Sequence, residues 1–478
     1  MTRLSNVTLA GLPGQVARPR RGPIGTGIVH FGPGAFHRAH QAAYVDTLLD
    51  HDPRWGIAAI SLRSAGTTDA LKAQDGLYTL AIRDVTPAWR VIGAHSRFLG
   101  PDAAGETLAL LGDPAVRLVT STVTEKGYCL AADGMLDLEH ADIRHDLAAG
   151  ATPRSLIGWL VAGLAARRSA GIAPFVPMPC DNMADNGAKL HAALVAFAGA
   201  RDAALAEWIA GEVRVPGTMV DSITPAADAR LQADVTAMLG VEDRAAVQRE
   251  AFTQWVIEDL DLGSGPDLAA AGAIVTSDVG GYERAKLRIL NGAHSTLAYA
   301  GLLRGHASVD RAMQDAPLAA FVDTMIREDI IPVLPPVPGL DLQEYRAAVL
   351  ARFANPAIVH LLEQIAQDGS QKLPYRLADT IDANRRVGRM PRCAVAAIAC
   401  WVVFLMRRAS AGVAILDPAA RALADAAADG DAAAVIDRLI ASDLGLRRSW
   451  QVDTALISAI GEAARRTEAG EWDGVFTA

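Results

Sequence analysis

The chain has 478 residues, a formal net charge of −9 at pH 7 and a hydrophobic content of 51%. This length exceeds one ordinary hydrophobic core, so we expect two or three domains, and the apolar content excludes an intrinsically disordered protein. The negative charge argues against a nucleic-acid-binding protein, because binding to phosphates needs a basic surface. The cysteines lack CxxC and zinc-type spacing, so we expect reduced thiols and no bound metal; they are Cys129, Cys180, Cys393 and Cys400.

No segment of the sequence predicts secretion or a membrane span. The N-terminus lacks the basic-then-apolar pattern of a signal peptide. The longest apolar run, residues 393–406, is shorter than the roughly 20 residues of a membrane span, and we interpret it as a buried helix. No apolar heptad indicates an oligomer, so we expect a cytoplasmic monomer without membrane contact.

The first predicted elements form a strand, a glycine turn and a helix. Residues 27–31 (GIVHF) predict a buried strand, which runs into Gly32-Pro-Gly34 and a helix that continues to Asp50. In a dinucleotide-binding domain this arrangement points backbone N–H groups at a pyrophosphate. His37 replaces the third glycine of the usual fingerprint. With His40 it could also be interpreted as a metal pair, although no partnering ligands accompany it in the sequence.

The second predicted strand, residues 56–62, ends at Arg63 without the acid that would bind the ribose 2′-OH of NAD. The nearest acid, Asp69, lies in the next segment, so the choice between NAD and NADP stays open. Further strands at 116–124 and 174–178 alternate with a helix near 153–170, which predicts a parallel sheet wound on both faces. Polar residues follow these strands where such sheets bind ligands, although each alone could equally be a helix cap; they are Thr124, Glu125, Lys126, Asp181 and Asn182.

From about Asp278 the pattern changes to long Ala- and Leu-rich helical stretches without a convincing strand. The sequence therefore predicts an α/β protein with two domains. Residues 1–277 would form a Rossmann-type, doubly wound NAD-binding domain, and residues 278–478 would form a mainly α-helical substrate domain.

The stretch KLRILNGAH, residues 286–294, combines three polar groups with a mostly apolar helix. At about 100° per residue, Asn291 lies about 140° from Lys286 and His294 about 80°, so one side presents an amine, a carboxamide and an imidazole. These groups fit catalysis at a carbon that bears a hydroxyl group. Such a reaction needs a base that takes the hydroxyl proton and neutral groups that donate hydrogen bonds to the oxygen. The same spacing also fits a solvated lysine, a helix-weakening asparagine and a hydrogen-bonded core histidine.

Two other catalytic patterns are disfavoured. Tyr282 and Lys286 spell the YxxxK pair of short-chain dehydrogenases, but about 250 residues separate the pair from the glycine turn, whereas that family has both in one small domain. A zinc-dependent dehydrogenase is disfavoured because no Cys/His cluster has ligand spacing, and a GxSxG elbow is absent.

Several motifs occur in an order that resembles a known family: GPGAFHRAHQAAYVD, TVTEKGYC, CDNMADNG, KLRILNGAHSTLAYAG and DGSQKLPYR. The chain is similar over roughly residues 24–440 to the mannitol dehydrogenase family, the metal-independent polyol and hexuronate dehydrogenases. This resemblance implies a Rossmann-type N-terminal domain, a helical C-terminal domain and a substrate site in the cleft between them.

The resemblance also implies roles for individual residues. Lys286 would be the general base, Asn182 and Asn291 would hold the reacting oxygen, and His294 would orient the substrate. Acids that connect the lysine to solvent would be Asp221 and Glu283. The residues implied for NAD binding are Phe31, Gly32, Gly34, Ala35, Phe36, Arg63, Thr124 and Glu125.

Departures from the mannitol-oxidising branch indicate a sugar-acid substrate. Gln364 stands where that branch has an arginine, and DGSQKLPYRL looks closer to the fructuronate reductase branch. Lys372, Arg376 and Lys126 are candidate cations for a substrate carboxylate. We therefore expect NAD-dependent interconversion of D-fructuronate and D-mannonate, with a polyol dehydrogenase acting on mannitol, arabinitol or sorbitol as the alternative.

Overall fold

The computed structural model describes residues 2–20, 22–260, 263 and 265–476. The chain divides into two compact units, Met1–Gly280 and Gly281–Ala478, called here the N-terminal and C-terminal units. The expected boundary between residues 277 and 278 differs from this division by three residues. The remaining residues of the two predicted domains lie outside the described ones: Met1, Arg21, Asp261, Leu262, Ser264, Thr477 and Ala478.

The strands belong to the N-terminal unit. They are β1 Val16–Ala17, β2 Ile28–Phe31, β3 Ile57–Ile60, β4 Tyr78–Arg83, β5 Ala88–Ile92, β6 His95–Leu99, β7 Leu118–Ser121, β8 Val176–Pro179, β9 Thr218–Asp221, β10 Val247–Glu250, β11 Gln254–Glu258 and β12 Ile274–Thr276. Five of them form a sheet in the order β6-β3-β2-β7-β8, in which every neighbouring pair is parallel. This sheet confirms the Rossmann-type prediction.

Alternating side chains of this sheet enter two hydrophobic clusters. Val29 and Phe31 of β2 belong to one cluster, together with residues of the helices Leu156–Ser169 and Asn186–Gly199. Ile28 belongs to the other cluster, which includes residues of the helix Gln41–Leu48. Because successive side chains of a strand point to opposite faces, the sheet is covered on both sides, as in a doubly wound domain.

Two further sheets of the N-terminal unit were not predicted. One has the order β1-β5-β4-β10 and contains the antiparallel pair β4–β5, and the other has the order β12-β11-β9 with β11 antiparallel to β9. Helices complete the unit: Ala35–Ala39, Gln41–Leu48, Gly66–Lys72, Ala104–Gly112, Ala141–Leu147, Leu156–Ser169, Asn186–Gly199, Ala203–Glu212 and Ala229–Leu239.

The described part of the C-terminal unit contains helices and isolated bridges but no named strand, which confirms the helical prediction. Its α-helices are Gly292–Leu303, Val309–Met313, Ala316–Thr324, Leu342–Ala354, Leu362–Ile365, Gly369–Leu373, Asp379–Arg386, Arg392–Ser410, Ala420–Ala427, Ala432–Ala441, Thr454–Ala469 and Trp472–Phe476, and Val279–Ala285 leads into it. π-helical segments interrupt them at Lys286–Asn291, Met325–Ile330 and Pro374–Ala378.

The π-helix at Lys286–Asn291 corrects the expected α-helical geometry of this stretch. The N–H of Gly292 donates to the carbonyl of Leu287, an i→i−5 hydrogen bond that an α-helix does not make. Each turn therefore holds more residues than an α-helical turn. Asn291 consequently follows Lys286 by close to one turn, rather than lying about 140° away from it.

The helix Arg392–Ser410 is long and apolar enough to cross a membrane, but 72% of its apolar window is buried within the protein. Trp401, Val402 and Val403 in its centre are at most 1% exposed. The helix is therefore accounted for as a core element of the C-terminal unit, as the sequence predicted for residues 393–406.

Candidate active site

The register of the parallel sheet gathers four loops at one edge. Phe31 pairs with Ile60 and with Ser121, and Ser121 pairs with Pro179, so the last residues of β2, β3, β7 and β8 lie side by side. The segments after these strands begin at residues 32, 61, 122 and 180 and therefore share the carboxyl edge of the sheet. Parallel α/β sheets bind their ligands at this edge.

The glycine turn after β2 is fixed by steric constraints. Gly32 has φ +87°, and a Cβ there would lie 2.3 Å from the carbonyl oxygen of Thr122. The Thr122 hydroxyl donates to the Gly32 carbonyl at 2.7 Å, which ties the turn to the loop after β7. At Gly34, where φ is −68°, a Cβ would meet no protein atom nearer than 3.9 Å. The fold therefore requires glycine at position 32 but not at position 34.

His37, which stands where the usual fingerprint has its third glycine, packs against two other imidazole rings. Its ring stacks on His30 with centroids 3.4 Å apart, and its Nε2 lies 3.1 Å from Nε2 of His95. Burial lowers the pKa of His30 and His95 to about 3 and holds the pKa of His37 well below its usual value, so all three rings are neutral. His40 instead contacts the carbonyl of Gln254 at 2.9 Å, which does not support a His37–His40 metal pair.

A cavity of about 400 Å³ lies along the glycine turn. Its lining includes four of the predicted cofactor residues, Gly32, Gly34, Arg63 and Thr124. Phe31, Ala35, Phe36 and Glu125 do not line it, and the fully buried side chain of Phe31 leaves only its backbone available to a ligand. We call this space the glycine-turn cavity.

A second cavity, of about 540 Å³, lies beside the end of β3 and reaches Gly100, Thr107, His145 and Trp159. We call it the strand-end cavity. Both cavities are lined by a shared set of residues, which are Ser61, Leu62, Arg63, Asp142 and Arg154. Two adjoining cavities at this edge could hold an extended ligand with a pyrophosphate at one end and an aromatic base at the other.

Asn182 lies in the exposed loop after β8, next to a buried carboxyl group. The Tyr128 hydroxyl donates to the carboxylate of Asp181, and the N–H of Val123 in the loop after β7 also donates to it. Burial raises the pKa of Asp181 to about 7 and raises the pKa of Tyr128 well above its usual value. Asp181 thus joins the loop that carries Asn182 to the loop after β7.

Asp221 is the last residue of β9, where it is 4% exposed and pairs with Gln254 of β11. β9 belongs to the three-stranded sheet and not to the Rossmann sheet. Lys126, a candidate cation for substrate, is exposed in the 3-10 helix Glu125–Tyr128 that follows β7. Neither residue lines the glycine-turn cavity, although Gly127, the neighbour of Lys126, does.

Lys286 and Asn291 are the first and last residues of the π-helix, and both are partly exposed. Glu283 lies one turn earlier, in the helix Val279–Ala285, and is also partly exposed. The hydroxyl of Tyr282 donates to the carbonyl of Pro338 at 3.0 Å, and its side chain is 1% exposed. This partly buried hydrogen bond gives Tyr282 a structural role and argues against the YxxxK interpretation.

His294 is buried between aromatic rings. It stacks on Phe353 with centroids 4.4 Å apart and meets His360 edge-on at 5.1 Å. Burial, with help from His360 and Arg376, holds its pKa well below the usual value, so the imidazole is neutral. Its Nε2 is buried and has no hydrogen-bond partner among the described residues. A buried nitrogen in this state fits a substrate hydroxyl.

Lys372 and Arg376 lie on adjacent turns, in the helix Gly369–Leu373 and the following π-helix. The Lys372 amine donates to the carbonyl of Gln367 at 2.7 Å and lies 3.6 Å from Asp368. Arg376 donates to the hydroxyl of Ser295 at 3.0 Å, which connects it to the helix that carries His294. Burial lowers the pKa of both groups, and repulsion from the Arg376 guanidinium lowers the pKa of Lys372 further.

One group of described residues has ligand atoms close enough for a metal: Cys129, His140 and Asp142, all within 4.8 Å. Burial and the carboxylates of Asp142 and Asp146 raise the pKa of the Cys129 thiol to about 11. A metal bound here would have to displace the thiol proton, and no second observation points to a metal, so we assign none to this group.

Sequence reasoning missed Asp142, Arg154 and His145, which line the strand-end cavity. They follow β3 by 80 residues or more, and no spacing rule connects them to that strand. Asp181 was predicted with Asn182 as a polar residue after a strand, but its buried contact with Tyr128 was not. The motif CDNM gave the position of Asp181 beside the predicted carboxamide, but no sequence pattern connects it to Tyr128, 53 residues earlier.

Comparison with known proteins agrees with this geometry. Residues 26–269 match the mannitol dehydrogenase Rossmann domain, and residues 278–454 match the mannitol dehydrogenase C-terminal domain. D-mannonate oxidoreductase of Escherichia coli (strain K12) is 38% identical over 409 residues, which cover 84% of each chain.

Two solved structures are similar over the full length of the chain. A D-sorbitol dehydrogenase in substrate-free form has a TM-score of 0.93 and 30% identity and covers 100% of both chains. Mannitol 2-dehydrogenase of Pseudomonas fluorescens, solved as a ternary complex with NAD and D-mannitol, has a TM-score of 0.82 and 33% identity; 100% of this chain and 99% of that chain are covered.

The chain is thus an oxidoreductase with a Rossmann domain and a helical partner domain. It belongs to the mannitol dehydrogenase family, as its motifs predicted. The expectation of NAD as the cofactor agrees with the family's Rossmann domain and with the NAD complex of the Pseudomonas enzyme.

Proposed function

We propose that this oxidoreductase uses NAD(H) to interconvert D-fructuronate and D-mannonate without a metal. The similarity to a D-mannonate oxidoreductase supports this substrate, whereas the similarity to sorbitol and mannitol dehydrogenases supports the polyol alternative. Overall similarity therefore does not choose between the two, and the choice depends on the charges of the C-terminal unit.

The observation that carries the proposal is the state of Arg376. Its guanidinium is partly buried, donates to Ser295 and has no carboxylate within ion-pair distance among the described residues. A cation removed from water is costly unless an anion compensates it, and guanidinium binds carboxylates in a bidentate manner. The carboxylate of a hexuronate would supply this anion, and a neutral polyol would not.

The proposed chemistry uses groups that the chain itself provides. Bound nicotinamide would supply the hydride to the keto carbon of the substrate. Lys286 would donate a proton to the developing alkoxide, and in the reverse direction its amine would accept the hydroxyl proton. Asn182 and Asn291 would donate hydrogen bonds to the same oxygen, which stabilises its negative charge during reduction. Neutral His294 would bind a neighbouring hydroxyl through the buried Nε2.

We propose Asp221 and Glu283 as the acids that exchange protons between Lys286 and solvent. The glycine-turn cavity supports the proposal for NAD, because it combines the Gly32 turn with the loops after β3 and β7, the positions that hold a pyrophosphate and its ribose in Rossmann domains.

The experiment is to follow NADH oxidation by absorbance with D-fructuronate, D-tagaturonate and D-fructose in parallel, and to repeat it with NADPH. We expect kcat/KM for D-fructuronate to exceed that for D-fructose by at least about 100-fold, since a buried charge-assisted pair discriminates strongly. A preference for D-fructose would assign the chain to the polyol dehydrogenases.

Variants of the cationic residues test the cause of this preference. Arg376→Met and Lys372→Met should raise KM for the uronate while ketose reduction changes little. Arg386→Met is the matched control, because Arg386 is an exposed cation of the same unit. Equal losses with uronate and ketose would show that these cations stabilise the fold and do not recognise a carboxylate.

A further inference from the structure

The loop after β3 lacks the residue type that usually distinguishes NAD from NADP at such a cofactor site. Residues 61–68 contain no acid, although a Rossmann domain that selects NAD usually has a carboxylate there to accept hydrogen bonds from the adenosine ribose. Arg63 stands in this loop instead, with a side chain that is 84% exposed. By itself this loop would favour the 2′-phosphate of NADP.

The two cavities at the carboxyl edge supply the missing carboxylate from elsewhere in the chain. A dinucleotide with its pyrophosphate at the Gly32 turn and its adenine in the strand-end cavity has its adenosine ribose between them. The ribose would therefore lie against the residues that line both cavities. Among the described residues that line either cavity, Asp142 is the one carboxylate, and it belongs to the shared set.

Asp142 is available for such a contact. Its side chain is 30% exposed, and its nearest cation, Arg63, is 3.6 Å away with most of its surface in water. An ion pair of this length and exposure contributes little free energy, so ligand hydroxyls can replace it. The position of Asp142 is also defined, because its backbone N–H donates to Nδ1 of His140 at 3.2 Å at the start of the helix Ala141–Leu147.

We infer that Asp142 is the residue that selects NAD over NADP, by accepting a hydrogen bond from the 2′-hydroxyl of the adenosine ribose. This inference rests on the proposed use of NAD(H), and it assigns to the helix Ala141–Leu147 a task that Rossmann domains usually give to the loop after the second strand. The same carboxylate repels a 2′-phosphate and withdraws Arg63 from it.

Equilibrium binding without any sugar substrate tests the inference. We would measure Kd by the fluorescence of NADH, of NADPH and of the NADH analogue that lacks the adenosine 2′-hydroxyl. Wild type should bind the deoxy analogue about 10-fold or more weakly than NADH, since a hydrogen bond to a charged group is lost. Asp142→Asn should bind NADH and the deoxy analogue nearly equally, and its preference for NADH over NADPH should fall about 10-fold or more.

Two controls separate this role from others. Glu139→Gln removes one charge at an exposed position that lines neither cavity, and it should leave all three dissociation constants unchanged. Arg63→Ala tests whether Asp142 acts only by holding Arg63; the sensitivity of wild type to the 2′-hydroxyl should persist in Arg63→Ala. The melting temperature of each variant shows that the fold is retained.

The outcomes distinguish this inference from the proposed function. If wild type binds NADH but Asp142→Asn keeps the full penalty for the deoxy analogue, Asp142 is not the ribose ligand, and the proposed function is unaffected. The same holds if the penalty disappears in Arg63→Ala. If wild type binds neither NADH nor NADPH, both the inference and the proposed cofactor are wrong.

Discussion

The two units present their candidate residues in different ways. In the N-terminal unit the residues lie in loops directly after parallel strands, and the register of Phe31, Ile60, Ser121 and Pro179 brings these loops together. In the C-terminal unit Lys286, Asn291 and Arg376 lie within π-helical segments.

Strand ends and helices contribute to a ligand site in different ways. A sheet edge exposes backbone N–H groups and space, which suits a phosphate-bearing cofactor. A helix satisfies its own backbone groups and presents side chains only, and π-helical turns are frequent at functional sites because they shift which side chains share a face. The N-terminal unit should therefore be sensitive to backbone changes, and the C-terminal unit to side-chain changes.

The largest expected effect is in the C-terminal unit. Lys286→Ala should lower kcat by about 1,000-fold, because general acid–base groups contribute about 10² to 10⁴ in rate, while Kd for NADH stays close to that of wild type. Single-turnover NADH oxidation and NADH fluorescence measure the two quantities. Lys189→Ala, which removes an amine from the N-terminal unit, should leave both nearly unchanged. Near-normal turnover by Lys286→Ala would contradict the assigned role.

A pH experiment compares a buried carboxyl group in each unit. Burial raises the pKa of Asp181 to about 7 and that of Asp329 to about 6, above the ordinary value of 3.8. Between that ordinary value and the raised one, the folded protein binds more protons than the unfolded chain, so each group lowers stability as the pH rises. Above the raised pKa the loss is complete, and at low pH it is absent.

Asp181→Asn should therefore gain stability relative to wild type as the pH rises from about 4 to 7, and Asp329→Asn should gain it mainly between about 4 and 6. The expected gain is a few kcal/mol at most. Denaturant unfolding over this pH range measures it, with exposed Asp102→Asn as the control for the loss of one charge. A gain that does not vary with pH would show that the variants act through packing and not through ionisation.

The same contrast explains what the sequence could predict. Four strands of the Rossmann sheet (β2, β3, β7 and β8) and the Gly32 turn were predicted, because apolar runs, glycines and polar residues at strand ends are local signals, whereas β6 was not predicted. Asp142 was missed because its cavity depends on folding across 80 residues. The π-helix at Lys286–Asn291 was missed because an apolar pattern at three- and four-residue spacing does not distinguish i→i−5 from i→i−4 hydrogen bonds.

The sheets outside the Rossmann core were missed for a further reason. β10 pairs with β4 across more than 160 residues, and β11 pairs with β9 across about 30, so each depends on a partner that no local pattern names. Asp221 was predicted through the family resemblance alone. Its position at the end of β9 required the structure.

Two glycine substitutions test the backbone dependence of the N-terminal unit. Gly32→Ala should destabilise the protein by about 2 kcal/mol or more and weaken NADH binding, since φ is +87° and the Cβ would contact the Thr122 carbonyl at 2.3 Å. Gly34→Ala has an allowed φ of −68° and open space, so it should melt like wild type. It should still weaken NADH binding about 10-fold or more, because the second glycine lets the backbone approach the pyrophosphate.

Unchanged NADH affinity in Gly34→Ala would show that the pyrophosphate does not lie against this residue. Normal stability in Gly32→Ala would show that the turn can relax away from Thr122. Calorimetric melting and NADH fluorescence on the same samples separate these outcomes.

A smaller effect tests the packing of π-helical segments in the C-terminal unit. A Cβ at Gly292 would lie 2.9 Å from the carbonyl oxygen of Arg376, so Gly292→Ala must separate the helix after Lys286–Asn291 from the π-helix Pro374–Ala378. We expect a loss of about 1 to 2 kcal/mol in stability and a rise in KM for the uronate. Gly461→Ala is the matched control, since Gly461 lies in the helix Thr454–Ala469 and a Cβ there would meet no atom within 4 Å.

Gly461→Ala should stabilise the protein by about 0.5 to 1 kcal/mol, because alanine has the higher helix propensity and the space is free. The two substitutions are chemically identical, so their opposite signs would isolate the close approach at Arg376 as the cause. If both variants gained stability, the contact between Gly292 and Arg376 would be loose in solution. The guanidinium that we propose for the substrate carboxylate would then be positioned by its hydrogen bonds to Ser295 and the Asn291 carbonyl, and not by the backbone contact at Gly292.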